Sequence, residues 1–188
     1  LAERSHITGH RIMFTSNDTP AAEFLYAARL GGIINFDDIT HVAFAERALG
    51  GSLPDTVCFR YNPGDEVEGN DIIGQPTEAK YGLTHEQMLE GYRRAKEKGV
   101  QRFGLHTMVA SNERRTEAFL LTARLMFDLA VELKEKLDIT VEFVNLGGGF
   151  GIPYRPEEEP LNLNEIGEGI HQLYQKMMIP HGLDNVAI

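Results

Sequence analysis

Tryptophan is absent from this 188-residue chain, cysteine occurs once, and positive charge is scarce: 18 Lys plus Arg stand against 28 Asp plus Glu, a formal net charge of -10. A surface of that sign repels phosphate backbones and anionic headgroups, so neither nucleic acid nor a membrane surface is an expected partner. The lone cysteine, Cys58, lies in the apolar run Thr56-Val-Cys-Phe-Arg-Tyr61. It excludes an internal disulfide and a multi-cysteine metal site, and it fits a reducing, cytoplasmic setting. No apolar stretch approaches the roughly 20 residues that a membrane helix requires. No basic-then-apolar signal pattern opens the chain. The seven histidines show no His-x-x-x-His spacing with a third ligand, so no metal site is expected. Repeats, low-complexity tracts and an interdomain linker are likewise missing. At 42% hydrophobic and 24% charged residues, the composition is that of one globular domain with a core. The first residues, Leu1-Ala-Glu-Arg-Ser5, read as the last turn of a helix, and Val186-Ala-Ile188 reads as the start of a strand. Both ends therefore read as interrupted elements, and the chain is expected to be part of a longer protein.

What is present is alternation. Short apolar runs with strand character recur at Arg11 to Thr15, Ile33 to Phe36, Thr56 to Tyr61, Arg102 to His106, Thr140 to Val144 and Val186 to Ile188. Helical patterns separate most of them. Pro20 to Leu30 follows two candidate caps, Asp18 and Thr19, and stops at Gly31-Gly32. Thr84 and Gln87 form a capping box that opens a helix running to Gly99. Asn112 to Leu137 carries Phe119, Ala123, Phe127 and Ala130 at helical spacing, and Asn164 to Met178 is a weaker helix. Near-continuous apolar strands alternating with helices indicate a parallel sheet covered by helices, either doubly wound or closed into a barrel. The segment Asn62 to Gly82, rich in Gly, Asp and Glu, is long for a connection, and its reading stays open between a functional loop and a surface excursion.

Two clusters could carry chemistry. Asn145-Leu-Gly-Gly-Gly-Phe-Gly-Ile-Pro-Tyr154 directly follows a strand, and consecutive glycines let several N–H groups converge on an anion. Ile152 occupies the third glycine position of a dinucleotide fingerprint and Pro153 blocks helix entry, so that reading fails; a Gly-Lys-Ser/Thr loop is also lacking. The second cluster, Gly104 to Asn112, places His106 near a strand end and Ser111 and Asn112 where a helix is expected to begin, as caps or as phosphate ligands. Asp37 and Asp38 point apart, one of them capping the helix that begins near His41. Glu157-Glu-Glu159 reads as a solvated acidic loop.

Phe103-Gly-Leu-His-Thr-Met-Val-Ala-Ser-Asn112, taken with Val144-Asn-Leu-Gly-Gly-Gly-Phe-Gly-Ile-Pro-Tyr154, resembles the fold type III, pyridoxal-phosphate-dependent decarboxylases of basic amino acids, and within them the diaminopimelate decarboxylase branch. Phe14-Thr-Ser-Asn-Asp-Thr19, Ile34-Asn-Phe-Asp-Asp38, Phe59-Arg-Tyr-Asn-Pro63 and Ala79-Lys-Tyr-Gly82 add weaker matches in the family's order. The resemblance implies an α/β, alanine-racemase-like (β/α)8 barrel, incomplete here, with about strands three to seven and the start of the eighth. Residues 1–188 would be part of its pyridoxal-phosphate-binding domain, the first strands and the C-terminal β domain being absent. It implies that Gly147, Gly148, Gly149 and Ser111 hold the phosphate of pyridoxal 5'-phosphate. Met108 falls where the family carries a ring-stacking histidine, and a thioether can pack on a ring but cannot transfer protons. His106, two residues earlier on the same strand face, is expected to share that role.

No catalytic residue is expected in this stretch. The lysine that carries the cofactor would lie upstream of Leu1, and a Glu-x-Gly-Arg segment would follow Ile188. The implied activity of the complete protein is decarboxylation of a basic or diamino acid, meso-diaminopimelate to lysine first among them, by a cytoplasmic homodimer acting on a small amino-acid substrate. Two alternatives stay open: a phosphate-ligand-binding domain without catalysis, and a regulatory homologue of such an enzyme. In the barrel reading, the glycine loop and Met108 to Ser111 lie side by side. Phe14, Phe36, Phe59 and Leu105, or their immediate neighbours, line the concave face of an open sheet, partly unburied.

Overall fold

Strands and helices alternate without exception through the computed structural model, which describes residues 1–64 and 81–188 and contains, among those residues, five strands and five α-helices. They divide into two compact units, of which the first comprises Leu1–Tyr61 with Tyr81–His106. Its elements are β1 (Met13–Ser16), α1 (Ala21–Arg29), β2 (Ile33–Phe36), α2 (Thr40–Ala48), β3 (Thr56–Tyr61), α3 (His85–Glu97) and β4 (Arg102–Thr107). The strands lie in the order β1-β2-β3-β4. β1 pairs parallel with β2, Met13 opposite Ile33 through Ser16 opposite Phe36. β2 pairs parallel with β3, Ile34 opposite Val57 through Phe36 opposite Phe59.

A chain of aromatic rings ties these strands to their helices. Phe24 of α1 meets Phe14 and Phe36; Phe36 meets Phe59 at 5.3 Å between centroids; Tyr92 of α3 meets Phe59 at 4.7 Å and Phe103 at 5.7 Å. The Tyr92 hydroxyl, buried in that stack, donates to the Gly104 carbonyl at 2.6 Å. At Gly91 a Cβ would come within 2.9 Å of the Phe59 ring, so a glycine there lets α3 lie against it. This corrects the expected facing of the strands. Phe36, Phe59 and Leu105 are fully buried rather than partly open. Phe36 and Phe59 point at the helices, and strand alternation from Phe103 puts Leu105 on that side too. The immediate neighbours Asn35, Arg60 and His106 lie on the opposite face by strand alternation.

Local signals set the helix ends. Thr84 and Gln87 form the expected capping box of α3. Asp38 accepts from the Thr40 N–H at the start of α2, while Asp37 turns away to pair with Arg60. For α1 the cap position is Pro20, which brings no side-chain cap, and the Thr19 hydroxyl donates to the Ser16 carbonyl one turn back. Of the Asn62 to Gly82 connection, residues 65–80, Lys80 among them, lie outside the described residues. It re-enters the sheet where the Leu83 N–H donates to the Arg60 carbonyl.

The second unit, described over Thr107–Ile188, holds α4 (Thr116–Leu137), β5 (Val141–Asn145), α5 (Leu163–Met177) and a 3₁₀ turn at Ile179–His181. α4 and α5 pack together, with Phe127 edge-on to Tyr174, whose hydroxyl reaches the Leu183 and Val186 carbonyls. Val186 to Ile188, expected as a strand, contributes one parallel bridge, Phe143 to Ala187. α4 starts four residues later than expected. Asn112 has φ 54, a left-handed conformation that cannot continue into a helix, and Arg115 occupies the cap position without a side-chain bond. Ser111 and Asn112 are therefore not at the N-terminus of α4.

Candidate functional site

The loop after β5 is built on backbone proximity. Gly147 and Gly149 have φ of 83 and 81, in the left-handed region that glycine tolerates. They also lie against the segment that follows β4: a Cβ on Gly147 would stand 2.5 Å from the Thr107 carbonyl and 3.1 Å from the Met108 sulfur, and one on Gly149 would stand 2.2 Å from the Ala110 carbonyl and 3.0 Å from the Ser111 Cα. The glycine loop and Met108 to Ser111 are thus neighbours, as the barrel reading requires. Gly148 differs, since nothing lies within 4 Å of where its Cβ would be.

The donors of this loop fall into two groups. The Gly147 N–H is occupied, donating to Asn145 Oδ1 at 2.8 Å in a turn of the Asx type. The N–H groups of Gly148, Gly149 and Phe150 have no acceptor among the described residues. Of the three glycines that the resemblance assigns to the phosphate, Gly147 makes the close approach, while Gly148 and Gly149, joined by Phe150, offer the donors.

Glu113 holds this loop from the other side. Its N–H donates to the Gly149 carbonyl at 2.8 Å and its carbonyl accepts from the Gly151 N–H at 2.7 Å, bracketing Phe150. Its carboxylate accepts from the Arg115 guanidinium and from the Arg114 and Arg115 N–H groups. The Arg115 side chain, helped by those two N–H groups, holds the Glu113 carboxyl below its usual range against the opposing effect of burial. Asn112 Oδ1 accepts from Ile152 N at 3.4 Å. Glu158 is no merely solvated acid: it accepts from Tyr154 N and pairs with Arg114 at 3.0 Å. The Phe150 ring stacks on Phe119 at 4.6 Å, and an apolar cavity of about 60 Å³, lined by Val109, Phe119, Leu146 and Ile170 among others, adjoins Gly147 and Gly148.

Met108 lies past the end of β4, so the alternation that put it on one face with His106 does not reach it. His106 itself is buried, at 8% exposure, in the first unit. In that unit Asp37 pairs with Arg60 at 3.0 Å and accepts from the Gly82 N–H, and the Arg60 guanidinium lies over the Tyr81 ring. Neither Asn145 nor Glu113 was picked out by the sequence reading. Asn145, two residues before a glycine, carries a readable turn signal. The role of Glu113 depends on a contact 36 residues away in sequence and carries none. Among the described residues no three His, Cys, Asp or Glu side chains come together as a metal site, and no helix is long and apolar enough to cross a membrane.

A glycine loop with acceptor-free N–H groups after a parallel-sheet strand is an arrangement that can receive an anion, and comparison gives the family. Residues 2–188 match the family described as "Pyridoxal-dependent decarboxylase, pyridoxal binding domain", and the chain belongs to that family. It is 32% identical over 181 residues to protein TabA of Pseudomonas amygdali pv. tabaci, covering 96% of this chain and 42% of that protein. It is 31% identical over 175 residues to the diaminopimelate decarboxylase of Methanothermobacter thermautotrophicus, covering 92% and 40%. The crystal structure of diaminopimelate decarboxylase from M. jannaschii in co-complex with L-lysine superposes with a TM-score of 0.85 at 25% identity, covering 99% of this chain and 44% of that one. The crystal structure of diaminopimelate decarboxylase from Helicobacter pylori complexed with L-lysine, at 22% identity, gives 0.80 over 99% and 46%, a likeness of fold. The chain thus spans about 40% of the length of the curated relatives it matches, and its α/β fold is that of their pyridoxal-binding barrel domain.

The residues present fit the family's cofactor at its phosphate end. Two glycines whose Cβ atoms would collide with neighbouring backbone, a third with open space beside it, and three successive N–H groups without an acceptor are what a phosphate monoester needs.

Proposed function

We propose that residues 1–188 form part of the pyridoxal 5'-phosphate-binding domain of a decarboxylase acting on a basic or diamino acid, with meso-diaminopimelate to lysine as the leading reaction. The carrying observation is the run of acceptor-free N–H groups at Gly148, Gly149 and Phe150. The names of the relatives support the substrate class: several are diaminopimelate decarboxylases, and the M. jannaschii structure holds L-lysine.

In this reading the backbone donors of Gly148, Gly149 and Phe150, with Ser111, whose Cα lies beside Gly149, hold the phosphate dianion. Charge-assisted bonds of that kind are the strong ones. Met108, against Gly147, offers a polarizable surface for the pyridine ring, and His106 is the nearest imidazole in the sequence to take up or return a proton. When bound, the cofactor supplies the electron sink that receives the bonding pair of the departing carboxylate. The lysine that carries it, the acid that meets its ring nitrogen and the grip on the distal substrate end belong to the complete protein. So does a homodimer, and net charge and the single buried cysteine favour a cytoplasmic setting.

Incubating the full protein with meso-diaminopimelate, lysine and ornithine, with cofactor added, tests this by the release of carbon dioxide. Release from diaminopimelate first is expected. Cofactor binding without release from any of the three would favour the second reading, a non-catalytic homologue, which Met108 in place of a proton-transferring histidine also favours.

A further inference from the structure

Glu113 is 8% exposed, and no substrate or cofactor group is assigned to it. Its two main-chain bonds, to the Gly149 carbonyl and from the Gly151 N–H, form a parallel bridge that leaves the N–H and carbonyl of the bracketed residue, Phe150, directed away from Glu113. Its carboxylate takes four donors from the next two residues: Arg114 N at 2.8 Å, Arg115 N at 2.8 Å, Arg115 Nε at 3.0 Å and Arg115 Nη2 at 2.9 Å. That turn is what keeps residue 113 facing the loop, since Asn112 before it is in the left-handed conformation and α4 begins only at Thr116.

We propose that Glu113 is a positioning residue for the cofactor phosphate: its main chain brackets Phe150, and its carboxylate folds the Arg114-Arg115 turn that keeps the bracket closed, so that the Gly148, Gly149 and Phe150 donors are ordered before the ligand arrives. The proposal rests on the cofactor reading above. A flexible triglycine must otherwise be ordered at the moment of binding, and backbone ordering subtracts from affinity. A neutral amide at position 113 keeps one acceptor oxygen but turns an NH₂ toward the Arg115 donors, so the turn opens even though the side-chain volume is unchanged.

The test has two readouts on the full protein. Amide hydrogen exchange without cofactor follows the two bonded amides of the bridge, those of residue 113 and Gly151, with the Ala123 to Leu133 stretch of α4 as internal reference. Titration with pyridoxal 5'-phosphate and with pyridoxal, which lacks the phosphate, reads the positioning. In Glu113→Gln, exchange at these two amides should accelerate at least roughly tenfold while α4 is unchanged, and pyridoxal phosphate affinity should fall roughly three- to tenfold with pyridoxal affected less than about twofold, the range expected of one lost hydrogen-bonded restraint. Arg115→Ala removes an exposed side chain and leaves the backbone donors on the carboxylate, so it should shift both readouts the same way by less; it decides the matter if Glu113→Gln does not fold. Unchanged exchange, or equal weakening of both ligands, overturns the positioning role. A wild-type protein that binds both ligands equally overturns the cofactor reading itself, and the exchange measurement then still reports separately on the bracket.

Discussion

Alanine at Gly148 and alanine at Gly149 are chemically the same change one residue apart, and the structure assigns them consequences of different size. At Gly149 the new methyl would lie 2.2 Å from the Ala110 carbonyl oxygen and 2.7 Å from its carbon, so the backbone of one of the two segments must move by about an ångström to reach ordinary contact. Forcing extra volume into a close-packed contact costs about 1–3 kcal/mol. Holding an L-residue at φ 81 adds about 1 kcal/mol. Together these give about 2–4 kcal/mol, which for a chain of this size lowers Tm by about 5–15 °C. At Gly148 the methyl meets no protein atom within 4 Å, but φ is 159, a conformation that L-residues rarely adopt. Gly148→Ala should therefore cost about 1 kcal/mol, from backbone strain alone, without the overlap that Gly149→Ala adds. The space it fills is that beside the acceptor-free N–H groups, and the larger Gly148→Val should weaken pyridoxal phosphate binding by about 2 kcal/mol or more by blocking backbone donors to a dianion. Thermal unfolding and cofactor titration of the three variants separate these effects. If Gly148→Ala destabilised as much as Gly149→Ala, the open space beside Gly148 would not exist. If Gly148→Val bound cofactor like the wild type, the phosphate would be held elsewhere.

The contrast between neighbouring glycines shows where sequence reasoning stops. The triglycine, its position after a strand and the order of the motifs were legible, because glycine runs and strand periodicity are local properties. The capping box at Thr84 and the division of labour between Asp37 and Asp38 were legible for the same reason. Which glycine packs and which donates was not, since that depends on Asn145 taking the Gly147 N–H and on carbonyls more than 35 residues away. The facing of Phe36 and Phe59 was missed because a single polar residue per strand, Asn35 or Arg60, separates the two faces without saying which of them the helices cover. The late start of α4 was lost because Ser111 and Asn112 are good cap residues in isolation; the bridge from Glu113 to Phe150 wins over them and holds the chain extended through Arg115. Local preference yields to a tertiary bond where a site is assembled.

Phe59→Ala, removing a fully buried ring between Phe36 and Tyr92, should cost about 3–5 kcal/mol and be seen as a Tm lowered by about 6–20 °C, whereas a loss below about 1 kcal/mol would deny the aromatic stack its place in the core. Borohydride treatment of residues 1–188 with pyridoxal phosphate should fix no adduct at a single lysine, because Lys96, Lys134, Lys136 and Lys176 lie on helices and Lys98 pairs with Glu46, Lys80 alone lying outside the described residues; a unique modified lysine found by mass spectrometry would refute this. The last expectation concerns pH. The Arg115 guanidinium holds the Glu113 carboxyl below its usual range in the folded chain, so the unfolded state takes up that proton first as pH falls. The contribution of Glu113 is therefore fully present above the unfolded value of about 4.3 and disappears as pH falls through the lower, folded value. Amide protection at residue 113 and Gly151, corrected for intrinsic exchange and compared with α4, should be flat from neutral pH down to about 5 and drop below about 4. Glu113→Gln should remove that drop, leaving protection low at every pH. A drop of the same size in the variant would assign the acid sensitivity to another carboxylate, with Glu158, which the Tyr154 N–H and Arg114 hold low, the next to replace.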